Sequence, residues 1–426
     1  MNIKLLLTII AACCTIFYTS NAQNKHKTAQ TVQPAAHNIS AYLPLLKGKR
    51  VGIFANHTST INSTHLVDTL QQLGITISKI FGPEHGFRGT ADAGEKVASY
   101  TDKATGIQVI SLYGKKRKPS AEDVADVDVL LFDIQDVGVR FYTFISSLEE
   151  FIEAALSFQK PLVVLDRPNP NGHYIDGPVL DTAYKSFVGM QPVPIVYGMT
   201  IGEYALMLIG EKWIKPKTYT YTTTKTATTT TYTISSIKQT TPVTVVHNGN
   251  YTHQSVYHLP VKPSPNLPHT TSIYWYPSTC LFEGTVLSEG RGTAHPFCIM
   301  GHPSLPKSGY AFTPISRDGA KEPKLKNQLC YGYNLHGPAD SVYLAVNGQL
   351  QLRYLLESYQ AFPQKDSFFL HPKSGKQTDY FFNKLAGNST LMQQIINGTS
   401  EADIRKSWQP ALNAFKTIRR KYLLYP

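Results

Sequence analysis

The stretch FGPEHGFRGT, residues 81–90, puts an acid, an imidazole and a guanidinium within five positions as Glu84, His85 and Arg88, broken up by Gly82, Pro83 and Gly86. An acid held in a shaped loop can transfer protons, and general acid–base work needs little more than that group at the right distance from a reacting atom. The same types recur in other loops. LLFDIQDVGVRFYTF carries Asp133, Gln135, Asp136, Arg140 and Tyr142, LDRPN carries Asp166, Arg167 and Asn169, and SEGRGT carries Glu289 and Arg291 between glycines, with Glu283 just upstream. Each group also has a plainer reading. Glu84 could sit on an ordinary surface turn, and Glu289 and Arg291 could pair with each other to brace their loop.

The segments that must position these residues alternate between strand and helix. LGITISKI (73–80) reads as a strand ended by Gly82 and Pro83, which leaves Glu84 just past its carboxyl end. RVGIFAN (50–56), GIQVISLYG (106–114), DVLLFDI (128–134) and PLVVLDRP (161–168) read as further strands, several of them apolar throughout. STHLVDTLQQLG (63–74) and FISSLEEFIEAALSFQ (144–159) have helical periodicity, and Ser120 reads as an N-cap. Continuously apolar strands alternating with helices imply a parallel sheet covered on both faces. Three of these strands end in polar loops, and ligand crevices of such sheets form at the carboxyl ends. No GxGxxG loop is present, so the sheet is expected to be Rossmann-like without a dinucleotide. In YGMTIGEYALMLIGEKW (197–213), Thr200 and Glu203 form a T-x-x-E capping box, which competes with any catalytic use of Glu203. The threonine-rich run at 218–244 reads as a low-complexity insertion folding as strands or loop.

The expected organisation is a signal peptide at 1–22, a polar linker at 23–40, a Rossmann-like N-terminal catalytic domain at 41–250 and a smaller mixed α/β C-terminal domain at 251–426, with a helix around 400–420. Lys4, the apolar run Leu5–Phe17 and the small residues Ser20 and Ala22 form a secretory signal with cleavage after Ala22. A cut before Cys13 is the competing reading and would leave a lipid anchor. Either way the expected location is across the inner membrane, in the periplasm. The formal charge of +12 is spread along the chain, with GKKRK at 114–118 the only dense run. No zinc-finger spacing, Walker loop or aromatic–basic motif accompanies it, so nucleic acid is not an expected partner. No metal or cofactor is implied. Past residue 22 the cysteines are Cys280, Cys298 and Cys330, either one disulfide with a free thiol or three buried thiols.

FGPEHGFRGTADAGE, TGIQVISLYG, LLFDIQDVGVRFYTF, VVLDRPNPNG, DGPVL, PSPNLP and FEGTVLSEGRGT together resemble the exo-acting β-N-acetylmuramidases of peptidoglycan recycling, the NamZ-type glycosidases. The resemblance runs from about residue 45 to the final YLLYP. It implies a Rossmann-like domain, a smaller C-terminal domain, a cleft between them, and hydrolysis of terminal non-reducing N-acetylmuramic acid. Tyr197 departs from the family's usual histidine before Gly-x-Thr, and the threonine-rich run lies outside the pattern.

Glycosidic hydrolysis commonly uses two carboxyl groups, one protonating the leaving oxygen. Glu84 is the candidate general acid, and the resemblance carries over the same PEHG glutamate. Asp133, Asp136 and Glu289 compete for the partner role, and an N-acetylated substrate also permits assistance by its own acetamido group. Muramic acid bears a lactyl carboxylate, which a bidentate arginine suits. Arg88, Arg140, Arg167 and Arg291 are available, with Arg140 and Arg291 favoured. His85, Asp136, Tyr142 and Asn169 complete the expected sugar contacts. A periplasmic sugar-binding protein without turnover is the alternative. An esterase or amidase has no support from a G-x-S-x-G elbow or an H-E-x-x-H helix.

Overall fold

In the computed structural model of the chain, which describes residues 31–84, 86–88, 98–215, 218–235 and 240–426, the apolar runs build one nine-stranded sheet. The signal segment with Cys13, residues 23–30 of the expected linker, and His85 lie outside the described residues. The strands are β1 (Arg50–Ala55), β2 (Thr76–Gly82), β3 (Tyr100–Thr101), β4 (Gln108–Ser111), β5 (Val129–Asp133), β6 (Leu162–Leu165), β7 (Thr220–Lys225), β8 (Thr229–Ser235) and β9 (Thr240–Val246). They lie in the order β3-β4-β2-β1-β5-β6-β9-β8-β7. From β4 to β9 every neighbouring pair is parallel. β3, β8 and β7 extend the two edges in antiparallel fashion. The chain builds outward from β1 through β2 to β4, then crosses back to lay β5 on the other side of β1. That reversal opens a crevice at the carboxyl ends of the strands.

Side chains of a strand alternate between faces, and both faces of this sheet are covered. Phe54, Leu130, Phe132, Val164 and Val245 pack on one side with helix α1 (Phe144–Ser157) and helix α2 (Ile201–Gly210). Phe54 stacks on Phe132 at 5.1 Å and meets Phe151 of α1 edge-on at 5.1 Å. Ile53, Leu131, Val163, Leu165 and Val246 face the other way, onto Leu66, Leu70, Tyr42 and Leu46. Two buried faces are why these strands read as unbroken apolar runs rather than alternating ones.

The threonine-rich run folds as strands, one of the two forms expected of it, and joins the large sheet. Its third strand, β9, pairs in parallel with β6, Val243 opposite Leu162, and so completes the parallel core. β8 and β7 then continue the sheet, with Thr231 hydroxyl-bonded across to Thr244 at 2.9 Å and Tyr221 stacked on Tyr232 at 4.7 Å. β-Branched and aromatic cross-strand pairs stabilise just such half-covered edges.

The C-terminal part carries a smaller antiparallel sheet of β10 (Ile299–His302), β11 (Tyr310–Phe312) and β12 (Cys330–Asn334), with β12 in the middle. Helices α3 (Thr270–Thr279) and α4 (Glu401–Arg419) belong to this part. Tyr274, Trp275, Leu412 and Phe415 share one apolar cluster with the α1 face of the large sheet. The chain's end returns to that sheet. The Tyr425 hydroxyl donates to Asp166 Oδ2 at 2.6 Å, and the Leu424 amide donates to Glu203 Oε1 at 2.8 Å. Glu203 also completes the capping box with Thr200 at the start of α2, so its carboxylate is structural. Cys280, Cys298 and Cys330 are three separate buried thiols. No helix among the described residues is long and apolar enough to cross a membrane.

Candidate active site

Past the end of β2, the Gly86 amide bonds back to the Pro83 carbonyl at 2.9 Å, closing a turn with Gly86 at φ +73°. That conformation favours glycine, and Glu84 is the residue that follows Pro83 within the turn. Phe87 locks the far side, fully buried and edge-on to His65 at 4.9 Å. Arg88 follows, held by Asp102 through Nε at 3.1 Å and Nη2 at 2.7 Å. Burial alone would raise the Asp102 carboxyl, but Arg88 and Thr105 outweigh it and hold it below its usual range. Arg88 therefore braces the loop that presents Glu84.

Glu84 itself lines a pocket of about 70 Å³ with Phe141, Tyr142, Thr143, Ser264, Asn266, Tyr276, Arg291 and Phe297. Its walls come from the carboxyl ends of β2 and β5, which flank β1, and from the PSPNLP and SEGRGT segments of the later chain. The Tyr113 hydroxyl donates to Glu84 Oε1 at 2.9 Å, and the Thr143 hydroxyl lies 3.4 Å from Oε2. Tyr142 is nearly buried and spends its hydroxyl on the Pro263 carbonyl at 2.8 Å, so its ring forms wall.

SEGRGT turns sharply through Gly290 at φ +83° and Gly292 at φ +79°, where a Cβ would strike the Ile299 and Ile315 carbonyl oxygens respectively. Only glycines fit those two positions. Arg291 between them reaches Glu283 at 2.6 Å and Glu289 at 3.3 Å, and Lys324 reaches Glu289 at 2.8 Å. Burial opposes the charge on Arg291, but the two carboxylates outweigh it and hold its pKa above the ordinary value. For Glu289, burial is likewise overcome by Lys324 and Arg291, which hold its carboxyl below the ordinary range. Arg291 also lines an adjoining hollow of about 380 Å³ with Glu283, Glu289, Lys324 and Phe381.

The remaining expected residues are not brought to this pocket. Asp133 is closed to solvent and bound by both arms of Arg167 at 2.7 Å. Asp136 is buried, accepting from the Gly138 amide at 2.6 Å and from the Tyr197 hydroxyl, so Tyr197 is its direct partner. Arg140, favoured for a substrate carboxylate, is fully buried and donates to the carbonyls of Pro178, Val193 and Leu385 at 2.7–2.8 Å. With Nη1 and Nη2 turned onto backbone, it ties the two parts of the chain together instead. Asn169 is buried and bridges Met199 and Asn171. Sequence reasoning missed Tyr113, Thr143, Ser264, Asn266 and Tyr276, although four of the five stand in motifs that it singled out. Among the described residues no group of three or more histidine, cysteine or acidic side chains is placed to hold a metal ion.

Comparison with known proteins agrees along the whole of this architecture. A relative from Bacillus subtilis (strain 168), the peptidoglycan β-N-acetylmuramidase NamZ, is 38% identical over 400 residues, covering 90% of this chain and 89% of the relative. Two crystal structures of DUF1343 family proteins from Bacteroides fragilis superpose over 93% of this chain and 99% of theirs. Their TM-scores are 0.79 at 40% identity and 0.72 at 25% identity. The N-terminal model of the exo-β-N-acetylmuramidase NamZ matches residues 51–271 and the C-terminal model matches residues 274–425. The chain belongs to the NamZ family of exo-β-N-acetylmuramidases.

Proposed function

We propose that the chain is a glycoside hydrolase that removes terminal non-reducing β-N-acetylmuramic acid from peptidoglycan fragments during cell-wall turnover. The observation that carries the residue roles is that Glu84 and Arg291, 207 positions apart (291 − 84), line one pocket. Glu84 is the general acid that protonates the glycosidic oxygen. Arg291 is the cation that meets the lactyl carboxylate, its orientation set by Glu283 and Glu289. Asp133 and Glu289 have their oxygens engaged by cations, and Glu84 is the one carboxylate lining the pocket among the described residues. The reading that fits is attack on the anomeric carbon by the substrate's own acetamido carbonyl, which needs no second protein nucleophile.

The working protein is proposed to be periplasmic, free or anchored through Cys13, a reading supported by Lys4, the apolar Leu5–Phe17 run and Ala22. The intact mass of the amino terminus of protein recovered from the periplasm decides between cleavage after Ala22 and a lipidated Cys13.

The test of the reaction is turnover of the disaccharide in which N-acetylmuramic acid is β-linked to N-acetylglucosamine, by wild type and Glu84→Gln. Release of both sugars, reduced ~10²–10⁴-fold in the variant, is the expected result. Binding without turnover by the wild type would instead identify a sugar-binding protein.

A further inference from the structure

We propose that Tyr113 is a positioning residue for the reaction, holding Glu84 by its Oε1 so that Oε2 is the oxygen that delivers the proton. The proposal rests on the reading of Glu84 as the general acid.

The placement follows from the sheet. β2 and β4 are parallel neighbours with Gly82 opposite Ser111. Two residues past that matched pair, just beyond the ends of β2 and β4, stand Glu84 and Tyr113, so the register brings their side chains together. The Tyr113 hydroxyl donates to Oε1 at 2.9 Å, whereas the Thr143 hydroxyl, at the N-cap position of α1 on the far side of β1, makes only a longer bond of 3.4 Å to Oε2. Thr143 lines the pocket with Glu84, and Tyr113 is not among the residues lining it. Tyr113 therefore acts through Glu84 and not on the sugar.

A protonated carboxyl group carries its hydrogen on one oxygen and accepts on the other. The phenol is a donor to Oε1, which leaves the acidic hydrogen to Oε2. Burial, and then the Glu84 carboxylate, push the Tyr113 phenol above its ordinary pKa, so it stays protonated and keeps a hydrogen to donate to Oε1. In the reaction the Oε2 proton passes to the glycosidic oxygen while the bond from that oxygen to the anomeric carbon breaks. The bonding pair leaves with the departing sugar's oxygen, and Glu84 becomes a carboxylate. A hydrogen bond to an ionised acceptor is about twice as strong as a neutral one, so Tyr113 stabilises the developing carboxylate more than the acid it started from. An interaction that strengthens on the way to the transition state appears in the rate.

The experiment compares kcat/KM, which reports steps up to departure of the leaving group, for the disaccharide and for 4-nitrophenyl β-N-acetylmuramide. The nitrophenolate leaves without a proton and the sugar does not. Wild type, Tyr113→Phe and Glu84→Gln are measured, with thermal unfolding as the control for folding. For Tyr113→Phe the expected loss is about 10- to 100-fold on the disaccharide, the range of a hydrogen bond to a charged group, and at least tenfold smaller on the aryl substrate. Equal losses on both substrates, or none on either, overturn the role of Tyr113. If Tyr113→Phe does not fold, Tyr113→Met, which also lacks the donor, supports the same comparison. Glu84→Gln tests the underlying reading separately. A leaving-group-dependent loss in Glu84→Gln without one at Tyr113 rejects the proposal alone, whereas equal or absent losses in Glu84→Gln reject the general acid.

Discussion

Asp133 and Arg167 are joined by two hydrogen bonds of 2.7 Å each, both side chains closed to solvent at the carboxyl ends of β5 and β6. A pair so enclosed exposes an uncompensated charge when one partner is removed. Asp133→Asn is expected to destabilise the fold by about 3–5 kcal/mol, and the double replacement Asp133→Leu with Arg167→Met by less. Urea unfolding of the single and double variants checks this. A well-folded Asp133→Asn protein that has lost only its activity would return Asp133 to the catalytic set.

Arg291 should determine preference for the lactyl-bearing sugar. Arg291→Lys keeps the charge and gives up the planar fork that matches a carboxylate. Affinity for N-acetylmuramic acid is expected to fall about tenfold, a typical loss for one charge-assisted bond, while affinity for N-acetylglucosamine stays the same. Calorimetric titration with both sugars reads the difference. Equal weakening for the two would assign Arg291 to loop structure alone.

The acetamido group should serve as the internal nucleophile. A muramic-acid thiazoline, which mimics the bicyclic intermediate of acetamido attack, is expected to inhibit competitively and more tightly than the sugar product, because transition-state-like ligands bind best. A fluorinated muramide that left a stable ester on a protein carboxylate would contradict this and identify the nucleophile by mass.

Burial pushes the Asp136 carboxyl up to about 6 in spite of the donors Tyr197 and Gly138. The folded state therefore keeps this proton where the unfolded chain, with a value near 3.8, has released it. The contribution to stability is full below pH 3.8 and is lost as pH rises through about 6. The two pKa units between these values correspond to roughly 3 kcal/mol. Asp136→Asn keeps an acceptor for Tyr197 and removes the charge. The difference in unfolding free energy between variant and wild type should grow in the variant's favour from pH 4 to pH 7. A flat difference would reject the buried ionisation. Comparison by difference is needed because Asp166 and Glu149 are each pushed by burial to about 7 and pull in the same direction.

His295 works with the opposite sign. Its ring lies 3.6 Å from that of His336, with His269 at 5.5 Å. Burial first, then His336, His269 and Arg317, lower its pKa. The folded state holds the ring neutral, so its contribution is present above pH 6.5 and lost as pH falls below that value. Between pH 7.5 and pH 5, wild type should lose more thermal stability than His295→Gln. Equal losses would show that the cluster does not take up protons in this window.

Much of this arrangement can be read from residue patterns alone. Strands buried on both faces, the Thr200–Glu203 cap and the glycine-framed Arg291 each leave a local signature, because each is satisfied within a few residues. Arg140 and Arg291 show the limit. Both stand in loop motifs, yet one ends on backbone carbonyls 38 to 245 positions away and the other on a pocket wall. Tyr113 was invisible for a related reason. It meets Glu84 only through the register of β2 and β4, and pairing register is not written in either strand. For the threonine run the strands were legible but their place was not, because β-branched residues suit an edge and a parallel neighbour of β6 equally well.

The bond from Tyr425 to Asp166 spans 259 positions. A chain made from its amino end carries Asp166 without this donor, and Glu203 without the amides of Leu424 and Tyr425, until residues 424–425 have been made. The carboxyl end of β6 and the first turn of α2 thus gain these partners only once residues 424–425 have docked. Assembly of the catalytic half is in this way timed by the arrival of residues that take no part in catalysis.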